Sequence, residues 1–198
     1  MDINQQDLLN GESLLLSKAA NAVIRISDYG LKRLPYDQLM SVVGFKGQEA
    51  IGGKLHVTNY RLVFKSHPLN RVTGKFSIFI PTIHSVRDAS LMLTKKIEIT
   101  TQTETLEFVV WGIPSLLQVI NSSASALTDE QKTNIRQYAM TNYEKIGDGL
   151  TLSKVMNKIG LNPNMVNQVL EIAQDPISLS SVLNLLELLE MFAKEEDE

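Results

Sequence analysis

Alternating apolar and polar residues are the main feature of the chain between residues 13 and 110. The clearest case is GKLHVTNYRLVFKS at residues 53–66. Its apolar side chains stand at every second position, namely Leu55, Val57, Leu62 and Phe64. This period of two is typical of strands that turn one face to a core and the other to water. Because Asn59 suits a tight turn at the polar break, the segment predicts a β-hairpin.

Further strands follow the same pattern. Residues 76–80 alternate up to Pro81, which has no N–H for a sheet ladder and therefore ends the strand or lies at an edge. Residues 97–99 and 106–110 predict two more strands, and residues 13–26 predict one or two with weaker alternation. The N-terminal half is therefore expected to be a sheet.

The period changes after Trp111. Pro114 suits a first helical turn. Apolar residues then recur at spacings of three and four, at Ile113, Leu116, Leu117, Ile120, Ala124 and Leu127. This spacing predicts an amphipathic helix over residues 113–127. Several short strands closed by one helix indicate an α+β fold, a small barrel or sandwich.

Helices are predicted for the rest of the chain. Thr128 and Gln131 form a capping box that opens a helix reaching about residue 146. Two shorter helices are expected over residues 152–159 and 163–173, and a leucine-rich helix from Pro176 onward.

These patterns divide the chain into a domain at residues 1–127, a helical domain at 128–192 and an acidic tail at 193–198. The last helix has more apolar surface than an isolated helix leaves exposed. We therefore expect the helical domain to form a homodimer or to dock a partner. Charge supports the division, since residues 44–96 hold nine Lys/Arg against two Asp/Glu, whereas residues 128–198 hold six against twelve.

Three segments in order carry a family resemblance: the residue 53–66 hairpin, FIPTIHSVR and LEFVVWGIPSLLQVI. Together they resemble a GRAM domain, a family with the pleckstrin-homology (PH-like) fold, over about residues 10–127. The matching positions are Gly53, Thr58, Asn59, Tyr60, Arg61, Leu62, Val63, Phe64, Ile80, Pro81, Ile83, Ser85 and Val86. The resemblance implies a small β-barrel of about seven antiparallel strands with a capping helix, and no catalysis. Related domains bind anionic lipids, bind peptides or proteins, or serve as scaffolds.

Catalytic and metal chemistry find no support in the composition. The chain has no cysteine, and its three histidines have no metal-ligand spacing. GQEAIGGK at residues 47–54 departs from the phosphate-binding pattern at its lysine position. We expect a non-enzymatic protein without cofactor or metal. The N-terminus shows neither the basic start nor the apolar run of a signal peptide, so we expect a cytoplasmic location with peripheral membrane association.

Cations stand on the polar side of the hairpin and in the loop that follows. Lys54, His56, Arg61 and Lys65 are predicted to face outward, and Arg71 and Lys75 flank a loop that contains Leu69 and Val72. One interpretation is a solvated face whose lysines resist edge-to-edge aggregation. The other is an anion site for a lipid headgroup or an acidic peptide. Its candidate ligand-binding residues are Lys54, Arg61, Lys65, Arg71 and Lys75.

An alternative function belongs to another class. TLSKVMNKIGLNPNMVNQVLEIA at residues 151–173 resembles a helix-turn-helix, which makes a DNA-binding regulator with a PH-like sensor domain the competing hypothesis. Its second helix has no Arg or Lys and the region is acidic, whereas phosphate neutralisation dominates DNA affinity. Nucleic-acid binding is therefore the less favoured hypothesis, and the preferred one is a binding or adaptor protein.

Overall fold

The computed structural model describes residues 2–25, 48–70, 73–147 and 176–193. The helices predicted at residues 152–159 and 163–173, and with them the helix-turn-helix alternative, lie outside the described residues. The same holds for Arg71, Val72 and the acidic tail.

Seven strands in the described part of the chain form one antiparallel sheet. They are β1 (Leu14–Arg25), β2 (Gln48–Thr58), β3 (Arg61–Ser66), β4 (Lys75–Phe79), β5 (Ser85–Asp88), β6 (Lys96–Thr100) and β7 (Thr105–Val110). Their order in the sheet is β4-β3-β2-β1-β7-β6-β5. The number of strands agrees with what the resemblance implies. The sheet is open rather than a closed barrel, because β4 and β5 stand at its two ends.

The inner face of the sheet carries the predicted core. Leu55, Val57, Leu62 and Phe64 are all buried, as the alternation predicts. Phe64 packs with Phe76 and Phe108, with ring centroids 5.5 and 5.7 Å away. Gly53 is required beside them, since a Cβ there would lie 2.4 Å from the backbone oxygen of Lys65.

Helix α1 (Ile113–Ala126) closes this core, as predicted. Its residues Ile113, Leu116 and Ile120 join the inner-face cluster. Gly112 precedes the helix in the left-handed region, with φ 73°, a conformation that glycine adopts without a steric penalty. The helix therefore belongs to the sheet domain.

Two separate helices are present where the sequence predicted one. The Thr128–Gln131 capping box is present and opens α2 (Asp129–Thr141). The prediction that this helix reaches residue 146 is wrong, because Asn142 leaves the helical region with φ −134° and ψ 43°. A single turn, α3 (Tyr143–Ile146), follows it.

Helix α4 (Pro176–Ala193) lies on the outer face of the sheet. Its residues Val182, Leu185, Leu186 and Leu188 share a second hydrophobic cluster with members of α2, α3 and the sheet. The partners outside α4 include Leu9, Tyr60, Phe79, Ile135, Ala139 and Ile146. The leucine-rich face that the sequence predicted as an interface therefore packs within this chain. Whether the chain also dimerises stays a prediction, as does the boundary at residue 127.

Candidate functional site

Three lysines occupy matching positions on β2, β3 and β4. Lys54 pairs with Lys65, and Lys65 pairs with Lys75. Directly opposite residues of an antiparallel sheet share a face, with Cβ atoms about 5 Å apart. The three side chains, called the lysine row below, therefore stand side by side on the outer face. Like charges in such positions are destabilising unless nearby carboxylates compensate them.

An open cleft of about 410 Å³ adjoins the lysine row. Its lining consists of Asp7, Lys65, Ser66, Pro68, Thr73, Gly74 and Lys75. One wall is fixed by the Ser66 hydroxyl, which accepts a hydrogen bond of 2.7 Å from the Gly74 N–H. Since Lys65, Lys75 and Asp7 all border the cleft, a small anionic group that enters it meets two ammonium groups and competes with one carboxylate.

Residues 2–12, called the N-terminal segment below, cross the outer face and supply carboxylates to the row. Lys54 Nζ lies 2.6 Å from Asp2 Oδ1, and Lys75 Nζ lies 3.2 Å from Asp7 Oδ1. The middle ammonium, that of Lys65, donates to the neutral backbone carbonyl of Asp2 at 3.3 Å. The two ends of the row are thus paired with carboxylates and its centre contacts a carbonyl.

The pKa values of these groups reflect burial and pairing. The hydrogen bond from Lys54 lowers the pKa of Asp2. Burial raises the pKa of Asp7, but hydrogen bonds from the Asn4 N–H and from Lys75 outweigh it, so the net pKa is lowered. Burial also lowers the pKa of Lys75, and its pairing with Asp7 only partly offsets this. The contacts of Asp7 therefore favour its charged form, whereas burial disfavours the charged form of Lys75.

The prediction that Arg61 faces solvent is wrong. Its residue exposure is 1%, and its guanidinium contacts Glu12 Oε1 at 2.9 Å and Oε2 at 3.1 Å. The remaining donors reach the Ser77 hydroxyl and the carbonyls of Asp7 and Lys145. Arg61 does lie on the outer face, but the N-terminal segment and α3 cover it there. It holds these elements together and is not available to an external anion.

His56 is the second outward prediction that is wrong. It is fully buried, and its Nδ1 lies 2.8 Å from the Ser17 hydroxyl. Val63, on the same outer face, packs against Ile3 and Leu8 of the N-terminal segment. The outer face of the hairpin is therefore a second buried layer around Arg61, with the lysine row at its margin.

Sequence reasoning missed Glu12, Asp2 and Asp7 as partners of these cations. Their contacts join residues 49 to 68 positions apart, a separation that no local pattern reveals. One signal was present, because Asn4 and Asp7 have capping-box spacing and the structure forms that box. It marks the N-terminal segment as ordered but does not reveal its partners.

The described ranges contain neither a membrane-spanning helix nor a cluster of metal-binding side chains. No helix there is both long and apolar enough to cross a bilayer. No group of three or more His, Cys, Asp or Glu side chains there has the geometry to hold a metal ion.

Comparisons with known proteins give weak structural similarity. No family model and no curated relative matches the chain. It is similar to the C-terminal domain of an unknown protein from Leishmania infantum, with a TM-score of 0.40 and 20% identity over 58% of this chain and 86% of that chain. It is also similar to the Vps36 N-terminal PH domain, with a TM-score of 0.40 and 12% identity over 60% of this chain and 83% of that chain. At these values neither similarity assigns a ligand or a function.

Proposed function

We propose that this chain is a non-enzymatic binding or adaptor protein of GRAM or PH-like type, in which the lysine row takes an anionic ligand. The observation that carries the proposal is the in-register placement of Lys54, Lys65 and Lys75 on three neighbouring strands beside an open cleft. Asp2 and Asp7 offset the like-charge repulsion at the two ends of the row, and Lys65 between them contacts a neutral carbonyl. An anionic ligand gains a charge-assisted hydrogen bond from each ammonium group it reaches.

The ligand chemistry is that of a phosphate or carboxylate group, presented by a lipid headgroup or by an acidic peptide. Of the five candidate residues, Lys54, Lys65 and Lys75 remain in the proposed site. Arg61 is excluded by its burial, and Arg71 lies outside the described residues. We further propose that the chain works without a cofactor and associates with membranes peripherally, and that its C-terminal helices dock a partner or a second copy.

Vesicle flotation tests the site directly. The parent should bind vesicles with anionic lipid more tightly than neutral vesicles, and added salt should weaken binding, because exposed charges are screened over about 8–10 Å. The double variant Lys65→Gln/Lys75→Gln should lose most of the anionic preference. Lys132→Gln is the matched control, since Lys132 lies on α2 and pairs with Asp129.

Soluble competitors separate the two ligand sources. A headgroup phosphate that displaces the protein from vesicles supports lipid recognition, whereas displacement by an acidic peptide alone supports a protein partner. If the parent binds no anionic probe, or if the double variant binds all of them as the parent does, the lysine row is a solvated surface and the proposal fails.

A further inference from the structure

The turn between β5 and β6 presents three consecutive apolar side chains to solvent. Leu91, Met92 and Leu93 are 71%, 92% and 92% exposed. Single exposed leucines are ordinary on protein surfaces. A run of three at one convex tip is unfavourable in water unless it has a function.

The tip is held by regular hairpin hydrogen bonds. The backbones of Leu91 and Thr94 exchange two of them, at 3.1 and 3.0 Å, and the Ala89 N–H donates to the Lys96 carbonyl at 2.8 Å. These bonds fix the turn, so the apolar side chains are displayed by a defined structure.

Met92 occupies a backbone position that favours glycine. Its φ is 52°, and among the described residues it is the one non-glycine with a positive φ. Two-residue hairpin turns usually place glycine or asparagine at such positions, since a Cβ there is strained. Strain kept at an exposed site is an observation that points to function. Here the strained residue presents an apolar side chain where a polar one would fold more easily.

Trp111 lies beside this hairpin. It follows Val110, whose N–H donates to the Lys95 carbonyl at 3.0 Å, and it is 71% exposed. Tryptophan is enriched where a hydrocarbon layer meets water, because its ring is apolar and its N–H is polar. The largest exposed aromatic of the described chain therefore follows a strand end that is hydrogen-bonded to Lys95, at the base of the hairpin.

Cations surround the base of the hairpin. Residues 87–96 contain three cationic residues, Arg87, Lys95 and Lys96, and one acidic residue, Asp88. Arg87 and Lys96 also pair with carboxylates of β6 and β7, and Lys95 is exposed. A fourth cation is close by, since Lys18 Nζ lies 2.8 Å from where a Cβ on Gly112 would stand. The apolar tip, with the exposed Lys95 at its base, complements a layer with an apolar interior and an anionic surface.

We propose that residues 91–93 insert into an anionic lipid bilayer, with Trp111 at the headgroup level and Lys95 against the lipid phosphates. The inference does not depend on a ligand at the lysine row. A bilayer suits a convex tip better than a protein does, because it deforms around the tip and needs no matching groove.

The chain's single tryptophan makes the test direct. Vesicles of phosphatidylcholine with phosphatidylserine should shift Trp111 emission to the blue, and brominated acyl chains should quench it. The triple variant Leu91→Ser, Met92→Asn, Leu93→Ser should lower the vesicle partition coefficient at least about tenfold, since it removes the apolar side chains that the bilayer would bury. Its melting temperature should stay near that of the parent, because it removes exposed groups and places asparagine at the positive φ.

Two variants separate this proposal from the one on the lysine row. Leu69→Ser removes an equally exposed leucine, 89%, from the β3–β4 loop and should leave the fluorescence shift intact. Lys65→Gln/Lys75→Gln should retain quenching by brominated lipid, even where it loses the anionic preference. The proposal is overturned if vesicles do not change Trp111 emission, or if the triple variant partitions as the parent does. It is likewise overturned if light scattering shows that the tip mediates self-association, abolished in the triple variant, while vesicles leave emission unchanged.

Discussion

Arg61 and Glu12 form an ion pair with Nε to Oε1 at 2.9 Å, and both side chains are almost completely shielded from water. The pair joins β3 to the N-terminal segment. Glu12 is itself held by the Thr58 hydroxyl at 2.7 Å and by the backbone N–H of Leu9. Both charges are therefore satisfied by hydrogen bonds as well as by each other, which a buried ion pair requires.

Glu12→Ala should destabilise the chain strongly. It leaves the Arg61 guanidinium buried without its carboxylate, and breaking a buried pair in this way costs about 3–5 kcal/mol. Urea unfolding monitored by circular dichroism measures the loss. The double variant Glu12→Ala/Arg61→Met should recover part of it, because no charge is left unpaired. Lys132→Ala, which breaks an exposed pair, is the control and should leave the midpoint nearly unchanged. A Glu12→Ala midpoint equal to that of the control contradicts the finding.

The hairpin shows what the sequence reveals and what it conceals. Period two assigned Leu55 and Phe64 to one face and Arg61 to the other, and both assignments are correct. The alternation carries no information on what covers the second face. Burial of Arg61 depends on Glu12, 49 residues away, and on the carbonyl of Lys145, 84 residues away. Solvent exposure was therefore inferred from polarity alone, and for Arg61 the inference failed.

Short sequence patterns predicted the structure best where a few neighbouring residues determine it. The Thr128 capping box was predicted because it depends on two residues within one turn. The end of α2 at Asn142 was not predicted, although it is local, since the Asn142 side-chain amide donates to the Tyr138 carbonyl at 2.9 Å. The exposed run at residues 91–93 was overlooked although the sequence contains it, because apolar residues are assigned to the core by default.

Removing the carboxylates that pair with the lysine row should strengthen anion binding. Asp2 and Asp7 occupy Lys54 and Lys75, so Asp2→Asn/Asp7→Asn removes two internal competitors. A cation near an anionic surface contributes about 1 kcal/mol, so affinity for anionic vesicles should rise about fivefold for each freed lysine. Co-sedimentation measures it, with Asp129→Asn as the control at a distant exposed carboxylate. Equal or weaker binding by the double variant argues that the N-terminal segment does not compete for these lysines.

Stability should depend on pH through Asp7. Its pKa in the folded chain is below the ordinary value of 3.8, so the carboxylate stabilises the fold above that value. The contribution is lost as pH falls from 3.8 through the lower folded pKa, because the unfolded chain then binds more protons. Urea titrations across this acid range should show a shallower loss of unfolding free energy for Asp7→Asn than for the parent. Identical acid limbs would show that the Asp7 contacts contribute nothing in solution.

Lys75 should make the free energy of unfolding depend on pH in the alkaline range. Burial lowers its folded pKa below 10.5, so the unfolded chain binds more protons in the window beneath that value. Stability from this group therefore rises as pH increases through the window. Lys75→Gln should flatten that rise in urea titrations, while Lys132→Gln should leave it unchanged. A parent profile without any rise attributable to Lys75 contradicts the stated burial.

Helix α4 should stabilise the sheet without being needed to fold it. The inner-face cluster is complete within residues 1–127, whereas Phe79 and Tyr60 of the outer cluster rely on α4. Asn184 strengthens the junction, since its Oδ1 accepts the Phe79 N–H at 2.7 Å. A chain of residues 1–127 should therefore melt cooperatively but at a lower temperature than the full chain.

Leu186→Asp in the full chain gives the sharper form of this prediction. Leu186 is buried in the outer cluster, so a carboxylate there should cost at least about 3 kcal/mol. The loss of stability is limited, because the substitution can at most detach α4 from the sheet. The variant should therefore melt at no lower a temperature than residues 1–127 alone. Leu183→Asp, at a half-buried position of the same helix, should cost less. If Leu186→Asp melts below the truncated chain, or if the truncated chain has no cooperative melt, the sheet depends on α4 for its fold and the boundary at residue 127 is wrong.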